Sequence, residues 1–173
     1  MVFIDIINVN EEDKREELDD YIGNKNNKIF LLIFMEGCDP CNATRPEWKK
    51  IKNVLKNNYL DNKNIVIASI DHMSADKLKN LKTKPNSFPT MRLITDGGET
   101  YKNYEDSDIE NKKRDIDSFI EWIETSVKEE KEPSINIGGK GTIRRKSKRY
   151  RRKTKSRRRK HIMNRKKSMR KKY

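Results

Sequence analysis

Cys38 and Cys41 are the only two cysteines of this 173-residue chain, and they stand two residues apart in "MEGCDPC", residues 35–41. A thiol pair at that spacing serves three chemistries. In disulfide exchange, a first cysteine that opens a helix has its thiolate stabilised by the free amides and the partial positive charge there. Two intervening residues then let the second sulfur reach back and resolve a mixed disulfide without unwinding the helix. Half of a zinc site is the second chemistry, but structural zinc takes four ligands, and the chain adds only His72, His161 and carboxylates. The third reading is a pair of inert, buried thiols. Gly37, Asp39 and Pro40 describe a turn rather than a core, so the surroundings favour a redox dithiol over both. No metal is expected, and no cofactor beyond a Cys38–Cys41 disulfide. Pro40 falls where the first helical turn would be, a place that needs no N–H. Asp39 acts against the helix terminus: a carboxylate beside Cys38 disfavours its thiolate and leans the redox poise toward reduction.

The elements that must position this pair follow from hydrophobic pattern. "VFIDII" (2–7) reads as a strand and "EEDKREELDDYI" (11–22) as an acidic amphipathic helix with Leu18, Tyr21 and Ile22 inward. "KIFLLIF" (28–34) is a continuous apolar run, as in a strand covered on both faces. A helix through "NATRPEWKKIKNVLKNNYL" (42–60) follows the cysteines, with Trp48, Ile51 and Leu55 at helical spacing. "NIVIASID" (64–71) is another buried strand. "SADKLKNLK" (74–82) opens with a Ser-x-x-Asp helix-start signal at Ser74. "TMRLI", "DGG" and "ETYKNY" (90–104) form a hairpin, and "RDIDSFIEWIETSVK" (114–128) closes as a helix with Ile116, Phe119, Ile120 and Ile123 on one face. Strands separated by helices, then a hairpin, make an α/β domain with a mixed central sheet flanked by helices. Cys38 lies where a buried strand ends and a helix begins.

"IFLLIFMEGCDPCNATRPEW" together with "SFPTMRLITDGGETYKNYE" resembles the thioredoxin family, and more narrowly the thioredoxin domains of protein disulfide isomerases, over about residues 1–130. The resemblance implies a thioredoxin-like fold and a thiol–disulfide oxidoreductase with Cys38 as nucleophile and Cys41 as resolving thiol. Pro46 is similar to the family's helix-kinking proline. Phe88-Pro89-Thr90 is similar to its cis-proline loop, which implies a cis Phe88–Pro89 bond and Phe88 backbone groups that pair with a substrate strand. Arg114 is similar to the arginine that approaches the resolving cysteine. Several positions depart from the pattern. Gly37 replaces a common tryptophan, Leu32 stands where a buried carboxylate often manages the resolving proton, and Ile67 replaces the usual nearby lysine. Glu47 and Asp71 are the candidates to substitute for that carboxylate.

Charge divides the chain. Of its 41 Lys and Arg, 20 fall within residues 133–173, which hold no Asp or Glu, so the body carries −6 and the tail +20 of the net +14. Residues 131–142 read as a linker with a Gly138-Gly139 joint, and residues 143–173 as a disordered Lys/Arg-rich tail, too poor in apolar side chains to offset chain entropy. Such charge binds polyanions by counterion release, with nucleic acid the first expected partner after protein thiols and disulfides. No run approaches the roughly 20 apolar residues of a membrane span. "MVFIDII" is short and broken by Asp5, unlike a signal peptide, so a cytoplasmic, non-secreted monomer is expected, with nucleus or virion as other settings. Asn42-Ala43-Thr44 is accordingly read as a chance glycosylation sequon. Heavy use of Asn, Lys and Ile, with the basic tail, is similar to small thioredoxin-like proteins of large cytoplasmic DNA viruses. That resemblance supplies an alternative function: a non-catalytic binding module, or a virion or nucleoprotein component.

Overall fold

The computed structural model describes residues 1–55, 59 and 62–128; the linker, the basic tail and His161 lie outside the described residues. The strands and helices follow in the order β1 (Val2–Ile6), α1 (Glu12–Gly23), β2 (Lys28–Phe34), α2 (Asp39–Leu55), β3 (Ile65–Asp71), α3 (His72–Ala75), β4 (Thr90–Thr95), β5 (Thr100–Asn103) and α4 (Ile116–Lys128). They form one mixed sheet in the order β1-β3-β2-β4-β5. β3 runs parallel to both β1 and β2, while β4 is antiparallel to β2 and to β5. The expected architecture is therefore present.

Every residue of β2 and of β3 is buried, which the continuous apolar run of β2 and the largely apolar β3, interrupted by Ser69 and ended by Asp71, anticipate. Alternation then sorts the side chains onto two faces. Ile29, Leu31 and Ile33 of β2 join Val66, Ala68 and Ile70 of β3 beneath Leu18 and Ile22 of α1. Phe30 and Leu32 join Ile65 and Ile67 beneath Trp48, Ile51 and Leu55 of α2 and Phe119, Trp122 and Ile123 of α4. On this second face the aromatic rings meet edge to face: Phe30–Trp122 at 5.0 Å, Tyr104–Trp122 at 5.1 Å and Trp48–Phe119 at 5.2 Å between centroids. Trp122 thus belongs to the buried face of α4, whereas Ile116 and Ile120 are only partly covered.

The helix expected from Ser74 to Lys82 is not formed. α3 starts earlier, at His72, because the Asp71 carboxylate accepts from the Met73 amide at 2.9 Å. Ser74 is buried, and its hydroxyl donates to the Asn8 carbonyl at 3.4 Å instead of capping a helix. The chain beyond α3 is held to α1 by Asn80, whose backbone amide and side-chain amide both donate to Asp19, each at 2.9 Å. In the hairpin, Gly98 adopts φ +86°, and a Cβ there would lie 2.1 Å from the Asn80 carbonyl oxygen, so only glycine fits. Among the described residues no helix is long and apolar enough to cross a membrane.

Candidate active site

Beyond Phe34 the chain leaves the sheet through Met35, Glu36 and Gly37 and enters α2 at Asp39. Gly37 has φ +76°, with nothing within 4 Å of where a Cβ would stand. Backbone conformation, not crowding, selects glycine just before the first cysteine. Cys38 caps the helix: its carbonyl accepts from the Asn42 amide at 3.0 Å and its sulfur from the Cys41 amide at 3.3 Å. The two cysteines are joined by a disulfide, with Cα atoms 5.2 Å apart. Cys38 keeps 9 % of its surface and Cys41 none. Asp39 is exposed in the first turn, and the Pro40 carbonyl accepts from the buried Thr44 hydroxyl at 2.8 Å. Pro46 lies inside the same helix.

Across from the cysteines, the Phe88–Pro89 peptide bond is cis. The Phe88 carbonyl oxygen lies 3.8 Å from Cys38 Sγ, and its ring packs on the cluster of Phe34, Cys38 and Cys41. The fold thus brings Cys38, Asp39, Pro40, Cys41, Phe88 and Pro89 together. Arg114 is not brought to them: it is exposed and pairs with Glu105 at 3.6 Å.

The departures read from the sequence have structural counterparts. Leu32 and Ile67 are both buried in the apolar face under α2. Glu47 accepts from the Ile116 amide at 3.3 Å, serving the start of α4, and also pairs with Lys50. Asp71 caps α3 and faces His72 Nδ1 at 3.3 Å. Both candidate substitutes for a buried proton acceptor are therefore engaged elsewhere. Ser69, opposite Leu32 in the sheet register, donates to Asp5, which pairs with Lys49 at 3.1 Å. These three groups border a cleft of about 250 Å³ lined also by Phe3, Trp48 and Ile67.

Two side chains at the site have no part in the redox reading of the sequence, where His72 enters only as a candidate zinc ligand. The Arg45 guanidinium carbon lies 3.9 Å from the centroid of the Phe34 ring, and the His72 ring meets Phe88 edge-on at 5.4 Å. Arg45 follows Cys41 by four residues, a spacing that puts two side chains on one helix face; His72 directly follows a buried strand. Among the described residues no group of three or more His, Cys, Asp or Glu is placed to hold a metal ion.

The family described as Thioredoxin matches residues 9–122, which run from just before α1 through β5 into α4 and include the dithiol. The chain belongs to the thioredoxin family. This thioredoxin domain is 27 % identical over 106 residues to Protein disulfide-isomerase 1 of Dictyostelium discoideum, covering 61 % of this chain and 26 % of that protein. The chain therefore spans about a quarter of the curated relative's length. Its fold is similar to human ERp44 in a zinc-bound form, with TM-score 0.51 and 13 % identity over 71 % of this chain and 30 % of that one. It is also similar to the J-Trx1 fragment of ERdj5, with TM-score 0.50 and 18 % identity over 73 % and 52 % of the two chains. These likenesses concern the thioredoxin fold.

Proposed function

We propose that the chain is a thiol–disulfide oxidoreductase acting on protein thiols and disulfides, held to nucleic acid or another polyanion by its basic segment, residues 143–173. The observation that carries the catalytic reading is Cys38 at the cap of α2, with the Cys41 amide directed at its sulfur. A negative charge on that sulfur gains a hydrogen bond and the helix terminus together.

In the reducing direction the Cys38 thiolate attacks one sulfur of a substrate disulfide. The substrate S–S bond breaks, its leaving sulfur takes a proton, and Cys38 is left in a mixed disulfide. Cys41 then gives up its proton and attacks Cys38 Sγ, expelling the second substrate thiol and closing the Cys38–Cys41 bond. Two electrons have passed from the pair to the substrate, and a thiol donor restores the dithiol. Oxidation of a substrate is the same sequence reversed. Phe88, beside Cys38, is the substrate-facing backbone of this reading.

Equilibration of the pair in glutathione buffers tests it, alongside turnover of insulin disulfides. A pair that titrates reversibly and reduces insulin supports the reading; a pair inert to every thiol donor removes it. A second reading is favoured by one feature, the apolar floor at Leu32, where no carboxylate stands to receive a proton. On that reading the domain is a binding module within a nucleoprotein or virion particle. The same titration separates the two.

A further inference from the structure

Among the described residues, a single buried side-chain nitrogen or oxygen has no hydrogen-bond partner: Arg45 Nε. A buried N–H without an acceptor is costly, and the cost is greater on a cation. Its guanidinium lies 3.9 Å over the Phe34 ring, and Phe34, itself 2 % exposed, belongs to the buried cluster it forms with Cys38 and Cys41. Arg45 also stands one helical turn beyond Cys41 on α2. A positive charge without a described anionic partner is thus placed against the wall of the dithiol cluster.

We propose that Arg45 is the positioning charge that sets the acidity of the Cys38–Cys41 pair, stabilising the thiolate formed on reduction and so making the disulfide more oxidising. The consequence rests on the oxidoreductase reading above; the electrostatic argument does not. In the disulfide state neither sulfur is charged, and among the described residues no ion pair offsets the Arg45 cation. Reduction and loss of a proton create an anion across the Phe34 ring, so the cation favours the reduced, ionised form.

Other charges border the pair. Glu36 and Asp39 flank Cys38 and are exposed, Asp71 and His72 pair with each other at 3.3 Å behind Phe88, and Arg45 is half-buried. Water and salt screen the two exposed carboxylates strongly, while a charge at the core boundary keeps more of its reach. Arg45 therefore outweighs Asp39. The reducing lean expected from Asp39 is reversed, in the direction that a stabilised reduced form imposes on other dithiols.

The test compares full-length wild type with Arg45→Met, Arg45→Lys and Asp39→Asn. Two quantities are read: the pH midpoint of Cys38 alkylation by iodoacetamide, and the equilibrium of the pair with glutathione. Arg45→Met should raise the midpoint by about half to one pH unit and shift the equilibrium about three- to tenfold toward the disulfide. Arg45→Lys should be displaced less than Arg45→Met, since it keeps the charge while losing the planar stack on Phe34. Asp39→Asn should lower the midpoint, by less than Arg45→Met raises it. A purely structural role would lower thermal stability and leave both readouts in place. An unchanged midpoint in Arg45→Met, an Arg45→Lys displaced as far as Arg45→Met, or a larger effect of Asp39→Asn would each overturn the proposal. Should Arg45→Met not fold, Arg45→Gln carries the same readouts and the same expectation. Alkylation requires no exchange activity, so a wild type inert to glutathione and insulin would remove the enzyme reading while the midpoints still judge Arg45.

Discussion

The amide of Cys41 points at the sulfur of Cys38 across 3.3 Å, so Cys41 supplies a hydrogen-bond donor to its neighbour's sulfur. The relationship is asymmetric. Cys38 gains the amide and the helix terminus and keeps some surface, while Cys41 is fully buried behind it. Limiting iodoacetamide on the reduced protein should therefore label Cys38 first, by about tenfold or more. Cys41→Ser should accumulate mixed disulfides with substrate and Cys38→Ser few. Equal labelling of the two sulfurs would refute the assignment of roles.

Leu32 sets the second expectation. It lies wholly buried under Trp48 and Ile51, paired in register with Ser69 and Met91, and offers no proton acceptor. Leu32→Asp should speed the resolution step, measured as release of the mixed disulfide, by about tenfold or more over Leu32→Asn, which has the same shape without the base. Both should lose stability, by about 3–5 kcal/mol, from the lost packing and the buried polar group. If Asp and Asn behave alike, another acceptor already serves Cys41. The Asp5–Ser69 pair beside the cleft is then the group to substitute next.

Strands β2 and β3 were legible because burial on both faces writes itself as a mainly apolar run, unbroken after Lys28 in β2 and interrupted only by Ser69 before Asp71 in β3, and the cysteine spacing marked the junction with α2. The helix expected at Ser74 failed for a physical reason: the local signal assumes a free hydroxyl, but the Ser74 hydroxyl is taken by Asn8, 66 residues away in sequence. Trp122 was missed because its partners, Phe30, Trp48 and Tyr104, come from three other segments. Arg45 shares a helix face with Cys41, which spacing reveals. Its importance depends on Phe34 turning toward that face and on an unfilled hydrogen bond, and neither is written locally.

Tyr104 makes the domain sensitive to alkali. It is 1 % exposed, its hydroxyl donates to the Lys113 carbonyl, and burial holds its phenol above the ordinary tyrosine range. With the folded pKa raised, the stabilisation is complete below the unfolded value of about 10 and is lost as pH rises through the folded one, because the unfolded chain ionises first. Urea unfolding of wild type should thus show stability falling beyond about pH 10. Tyr104→Phe should be weaker at pH 7 by about 0.5–1.5 kcal/mol, the worth of one hydrogen bond, and should lose less on going to pH 11. Parallel alkaline limbs for the two proteins would place the sensitivity elsewhere.

The basic segment is expected to tether the domain without touching its chemistry. Residues 133–173 carry +20 against −6 in the rest of the chain, so phosphates are drawn to one part of the chain and weakly repelled by the other. The described dithiol cluster is built wholly from residues between Phe34 and Phe88. If about six to ten phosphates are neutralised, affinity for duplex DNA should fall by roughly 10³ to 10⁵ between about 50 and 200 mM salt, with little dependence on base sequence. A protein ending at Glu132 should lose retention on DNA and on heparin yet reduce insulin at the full-length rate per molecule. Heparin and DNA separate two sources of the effect, since a charge-only tether holds both while a nucleic-acid site prefers DNA at matched salt. Equal retention of the truncated and full-length proteins would remove the tail from the mechanism, and a slower truncated enzyme would mean that the tail reaches the site after all.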